Sequence, residues 1–76
     1  MQLEYSMHWQ LKRRRRPSIT DDCIEYYIQQ STIINDKLWE DVYNAIAVVP
    51  STGRTLKVAY KRKGKAIKVL TAYWLN

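Results

Sequence analysis

The chain has 76 residues, with 13 Lys and Arg against 7 Asp and Glu and a formal net charge of +6. It is expected to form a single domain over residues 1–76, small enough to bury only about 60% of the surface its unfolded form exposes. Cys23 is the only cysteine, which excludes an internal disulfide and points to a reducing, cytoplasmic setting. With no long apolar run, neither a helical membrane span nor a secretory leader of the usual form is expected.

The charges are unevenly placed. Residues 1–20 hold Lys12 and Arg13–Arg16 against Glu4, and residues 42–76 hold Arg54, Lys57, Lys61, Arg62, Lys63, Lys65 and Lys68 with no acid. Between them lie Asp21, Asp22, Glu25, Asp36, Glu40 and Asp41, opposed by Lys37 alone. A fold that gathers the two basic segments on one side presents a phosphate-attracting face. The plain alternative is that the charges only keep a small protein soluble.

In chain order, a first helix is predicted from Met7 to Arg16, with Ser6 as N-cap. Leu3, Met7 and Leu11 recur every fourth residue as a narrow apolar stripe. Pro17 ends the helix, and the arginine run in its last turn complements the helix dipole. A second helix is signalled more strongly: Thr20 is the N-cap, Asp21 and Asp22 lie in the first turn, and Ile19 and Ile24 are placed for a hydrophobic staple. Ile24, Tyr27 and Ile28 give it one buried face, and it should stop near Gln30.

The period then becomes strand-like. Thr32-Ile33-Ile34 begins a short strand and Val42–Val49 a second. Pro50–Gly53 is a turn, and Arg54–Lys61 alternates with Leu56, Val58 and Tyr60 on one face. Arg62–Lys65 makes the next hairpin. Ala66–Trp74 is apolar on both faces, as a central strand should be. Helix, helix and an antiparallel meander define an α+β domain with helices on one face of the sheet.

No cysteine–histidine spacing suits zinc, no carboxylate–histidine cluster suits a catalytic metal, and no glycine-rich phosphate loop is present. No metal and no cofactor are therefore expected. What remains is cationic and acid–base chemistry. His8 is the sole histidine, the residue type that titrates nearest neutrality. Lys12 and Arg16 follow it at four-residue steps, so the three share one helical ridge. RNA cleavage by a neighbouring 2′-hydroxyl needs such a set: a base, fixed positive charge for the phosphorane, and an acid for the departing 5′-oxygen. The alternative for His8 is an ordinary half-buried helix residue. Arg13 and its neighbours are candidates for backbone phosphate binding, and Lys61 with Arg62, Lys63 and Lys65 for a substrate-docking loop. Thr71 and Tyr73, two apart in the last strand, share a face with Val69. Their hydroxyls suit a phosphate oxygen or proton donation, although tyrosine is also the commonest core aromatic of this chain.

Taken together, these segments resemble the phage-barnase/EndoU/colicin/RelE-like superfamily of small toxin-like nucleases. The resemblance is carried by Ser6-Met7-His8, Lys12 and Arg16, Ser18-Ile19-Thr20, Gly53-Arg54-Thr55-Leu56-Lys57-Val58 and Val69-Leu70-Thr71-Ala72-Tyr73. Two departures stand out: Pro17-Ser18 replaces a usual glycine with one extra residue, and Lys12 stands where arginine is usual. The resemblance implies two N-terminal helices packed on a four-stranded antiparallel sheet, and metal-independent endoribonuclease activity as the toxin of a toxin–antitoxin pair. It implies His8, Arg16, Thr71 and Tyr73 as catalytic residues. Lys12, Arg13, Arg54, Lys57 and Lys61 complete the set as substrate-binding candidates.

RNA and an acidic or DNA-binding antitoxin are the expected partners. Self-association as a homodimer is also expected, since Trp9, Trp39 and Trp74 exceed what so small a core readily buries and exposed tryptophans are typical contact anchors. The rival reading is a non-catalytic basic protein that binds nucleic acid.

Overall fold

A computed structural model of the chain describes residues 2–30, 32–35, 38–39 and 41–75. The chain runs through β1 (Gln2–Tyr5), α1 (Met7–Lys12), a 3₁₀ turn (Arg13–Arg15), α2 (Asp21–Gln30), β2 (Thr32–Asn35), β3 (Val42–Val49), β4 (Arg54–Lys63) and β5 (Ala66–Trp74). The strands form one sheet in the order β1-β5-β4-β3-β2. The meander β2 to β5 is antiparallel, whereas β1 lies parallel to β5, with Leu3 opposite Ile67 and Tyr5 opposite Val69.

The α+β class and all four meander strands follow the sequence expectation. The sheet itself does not: it is five-stranded and mixed, not four-stranded and antiparallel. The added strand comes from the segment read as the start of a helical stripe. Leu3 and Tyr5 are two apart, so in an extended chain both point to one side, and both pack against the core. Parallel pairing of β1 with β5 makes β5 an inner strand, in keeping with its apolar character. Of the central charges, Asp36, Lys37 and Glu40 lie outside the described residues.

The first helix is shorter than expected. Ser6 caps it, its hydroxyl accepting from the Trp9 N–H at 3.1 Å, but α-helical structure stops at Lys12 and the arginines form the 3₁₀ turn. The stripe is also different: Met7 and Leu11 are 69% and 60% exposed, and Trp9 is the buried residue. A helix of six residues presents little more than one inward position, and the largest apolar side chain takes it. α2 matches its prediction. The Thr20 hydroxyl accepts from the Cys23 N–H at 3.1 Å, and Ile19, Ile24 and Ile28 are buried.

The helices cover one sheet face. Trp9, Ile19, Ile24 and Ile28 meet Leu56, Val58 and Tyr60 of β4, Ile67, Val69 and Ala72 of β5, and Ala45 of β3. Tyr43 stacks on Tyr60 at 5.8 Å between ring centroids. The β3–β4 and β4–β5 hairpins turn through glycine, Gly53 and Gly64, at φ 70° and 59°, a conformation that costs other residues steric strain.

Candidate functional site

The second sheet face holds the candidate site, and an irregularity in β5 decides which side chains reach it. In β4, Leu56, Val58 and Tyr60 face the helices, so Thr55, Lys57, Ala59 and Lys61 face away. β5 starts in the same phase, with Ile67 and Val69 buried against the helices. Strict alternation would send Thr71 and Tyr73 the way of Val69, as the sequence reading has them. Instead Tyr60 pairs with Val69 and Ala59 with Thr71, leaving Leu70 as an extra residue. A bulge of this kind reverses the phase of the strand beyond it. Ala72 is therefore the buried residue, while Thr71 and Tyr73 stand on the second face, opposite Ala59 and Lys57.

Tyr73 sits between two cations. The Lys57 Nζ lies 5.6 Å from its ring centroid and the Arg16 guanidinium carbon 6.0 Å, within reach of the ring's negative face. Arg16 does not arrive along a helical ridge. Past the 3₁₀ turn it has φ −132°, and its guanidinium donates to the Ala72 carbonyl at 3.1 Å. β1 ends at Tyr5, opposite Val69, and the edge of β5 beyond is met by other donors. The Ser6 N–H bonds the Val69 carbonyl at 2.9 Å and the Ser6 hydroxyl donates to the Leu70 carbonyl at 2.7 Å. Ser6 and Arg16 thus fasten the α1 segment to β5 on either side of Thr71.

His8 stands two residues past Ser6, exposed on α1, and its imidazole makes no hydrogen bond among the described residues. It is not a core histidine. Lys12 is half-buried at the end of the same helix. The remaining candidates are divided. Arg13 pairs with Asp21 at 2.8 Å and lies 5.5 Å from the Tyr5 ring, joining the 3₁₀ turn to α2. Arg54 lies 4.4 Å from the Trp74 ring, on the side of Leu56. Lys61 is on the second face, 3.5 Å from Asp41.

Beside Thr71 the same face opens into a shallow cleft of about 370 Å³ lined by Trp39, Val42, Ala59, Lys61, Leu70 and Thr71. Three tryptophans are expected to exceed what so small a core buries. Trp9 is fully buried and Trp39 is 64% exposed, while the Trp74 indole donates to the Ser18 hydroxyl at 3.2 Å. The placing of Trp39 beside Thr71 had no signal in the sequence, because it depends on the β5 bulge.

Burial, with Asp21 adding to it and Arg13 opposing, pushes the Tyr5 phenol up. Burial pushes the Cys23 thiol up as well, which keeps it protonated and a poor nucleophile. Among the described residues no group of three or more His, Cys, Asp or Glu side chains is placed to hold a metal ion, and no helix is long and apolar enough to cross a membrane.

The geometry defines a small α+β protein with a cation-flanked tyrosine and a neighbouring threonine on the sheet face opposite the helices. Comparison with protein-family models, with curated proteins and with solved structures finds no match to this chain.

Proposed function

We propose that this protein is a metal-independent endoribonuclease that cleaves through the neighbouring 2′-hydroxyl, acting in the cytoplasm as the toxin of a toxin–antitoxin pair. The observation that carries the reading is Tyr73, held between Lys57 and Arg16 on the face to which the bulge also turns Thr71. Two fixed cations suit the dianionic phosphorane, and the phenol suits proton donation to the departing 5′-oxygen. Thr71 donates to a non-bridging oxygen, and Lys12 and Lys61 hold adjoining phosphates. His8, as general base, takes the proton of the attacking 2′-hydroxyl. The 2′-oxygen bonds to phosphorus, the bond to the 5′-oxygen breaks, and the products are a 2′,3′-cyclic phosphate and a 5′-hydroxyl. An acidic or DNA-binding antitoxin, covering the Arg13–Arg16 and Lys61–Lys65 segments, restrains the activity in the cell.

The test is incubation of pure protein with single-stranded RNA in EDTA, alone and with translating ribosomes. Cyclic phosphate ends in either mixture support the enzyme. Intact RNA in both, with salt-sensitive binding, leaves a nucleic-acid-binding protein in its place. His8→Ala is expected to abolish cutting and leave the melting temperature unchanged, because the side chain is exposed. A large fall in melting temperature would assign His8 a structural role instead.

A further inference from the structure

We propose that the cleft walled by Trp39, Leu70 and Thr71 is a base-binding subsite, which takes one unpaired base of the RNA whose phosphate lies at Tyr73. This rests on the RNA reading above. Trp39 is 64% exposed and lines the cleft, so its indole is within reach of a ligand there. Among the described residues the lining is otherwise apolar, with Val42, Ala59 and Leu70, and its polar side chains are Thr71 and Lys61.

Thr71 belongs to both places, since it lines the cleft and precedes Tyr73 by two residues on the same face. Two strand residues span about 6.6 Å, a length that a single nucleotide can bridge from base to phosphate. Cations mark the phosphate end, Lys57 and Arg16 at Tyr73, and an aromatic wall marks the other. Stacking platforms beside a cationic track are the means by which single strands are held without base pairing. Paired bases are not free to enter such a cleft, so the subsite selects single-stranded RNA. Asp41, paired with Lys61 at 3.5 Å, tempers the charge at the cleft rim.

The experiment uses a short, mixed-sequence 2′-O-methyl oligonucleotide, which lacks the attacking hydroxyl, and an abasic oligomer of equal length. The base-bearing oligomer should quench tryptophan emission. Trp39→Ala should abolish the quenching and weaken binding about tenfold, Trp39→Phe should restore most of the affinity, and both variants should melt as the parent does. The abasic oligomer should bind parent and variant alike. Equal binding of the base-bearing oligomer by parent and Trp39→Ala overturns the subsite; if RNA is still cut, the nuclease reading survives it. Trp39-dependent binding of RNA that is never cut keeps the subsite and removes the enzyme. Failure of the parent to bind either oligomer removes both. A Trp39→Ala protein that changes from dimer to monomer with oligonucleotide binding intact assigns Trp39 to a protein contact and overturns the proposal.

Discussion

Two tyrosines on the helix-covered side set opposite tests of burial. Tyr60 is fully buried and its hydroxyl has no hydrogen-bond partner among the described residues, so folding strips water from that group without replacement. Removing it keeps the ring, its stacking on Tyr43 and the packing of β4. Tyr60→Phe should therefore raise stability, by about 1 kcal/mol, measured as a higher denaturation midpoint at unchanged slope; a lower midpoint would mean that the hydroxyl is satisfied. Tyr5 makes its contribution through pH. Its phenol is held above the ordinary tyrosine value, chiefly by burial, so the folded state favours the protonated form. That preference costs nothing below about pH 10, where the unfolded tyrosine is protonated too. Above it the unfolded chain ionises first, and stability falls as pH rises through the folded value. Melting temperatures between pH 8 and 11 should accordingly drop less steeply for Tyr5→Phe than for the parent. Parallel curves would remove Tyr5 as the cause.

At the scale of elements, the joint between α1 and β5 does most to form the site. Ser6 serves twice, as N-cap for α1 and as donor to the Leu70 carbonyl at the bulge. Ser6→Ala removes both bonds and should cost about 1–2 kcal/mol, more than the loss of an exposed cap alone. The accompanying sign would be looser amide protection at Leu70 and Thr71 in hydrogen exchange. Loss of stability confined to α1 would show that the cap, not the stitch to β5, is what matters. Elements were unevenly legible. α2 and the three long strands could be read because capping, alternation and turn residues are local. β1 could not, since a four-residue strand has no independent stability and exists only by pairing with a partner some 64 positions along the chain. The bulge escaped for the same reason: Val69-Leu70-Thr71-Ala72-Tyr73 alternates well enough to pass for a regular strand.

For the whole molecule, the predicted basic faces are less uniform than the charge map suggests. Arg13 is engaged by Asp21 and Arg54 lies on the helix side, while Lys68 of the second face sits opposite Glu4 in the sheet register. Arg16, Lys57 and Lys61 remain as the cations grouped around Thr71 and Tyr73. With Lys12 they make about four phosphate contacts, which imply that the logarithm of RNA affinity falls with the logarithm of salt at a slope near −3. A titration across salt concentrations should return that value for the parent and about −2 for Lys57→Ala. A slope near −5 would instead enlist the whole arginine run.

By itself the sequence determined the α+β class, the caps of both helices, the two glycine turns and the apolar side of β4, all consequences of neighbouring residues acting within a few positions of one another. It also supplied the inventory of the candidate site, because residue types are a property of composition. Which of those residues meet was a tertiary decision. One extra residue in β5 turns Thr71 and Tyr73 away from the core, and the break of the first helix at Lys12 frees Arg16 to reach them. Strand phase is set by the hydrogen bonds a strand makes with its neighbours, and those neighbours are distant in sequence.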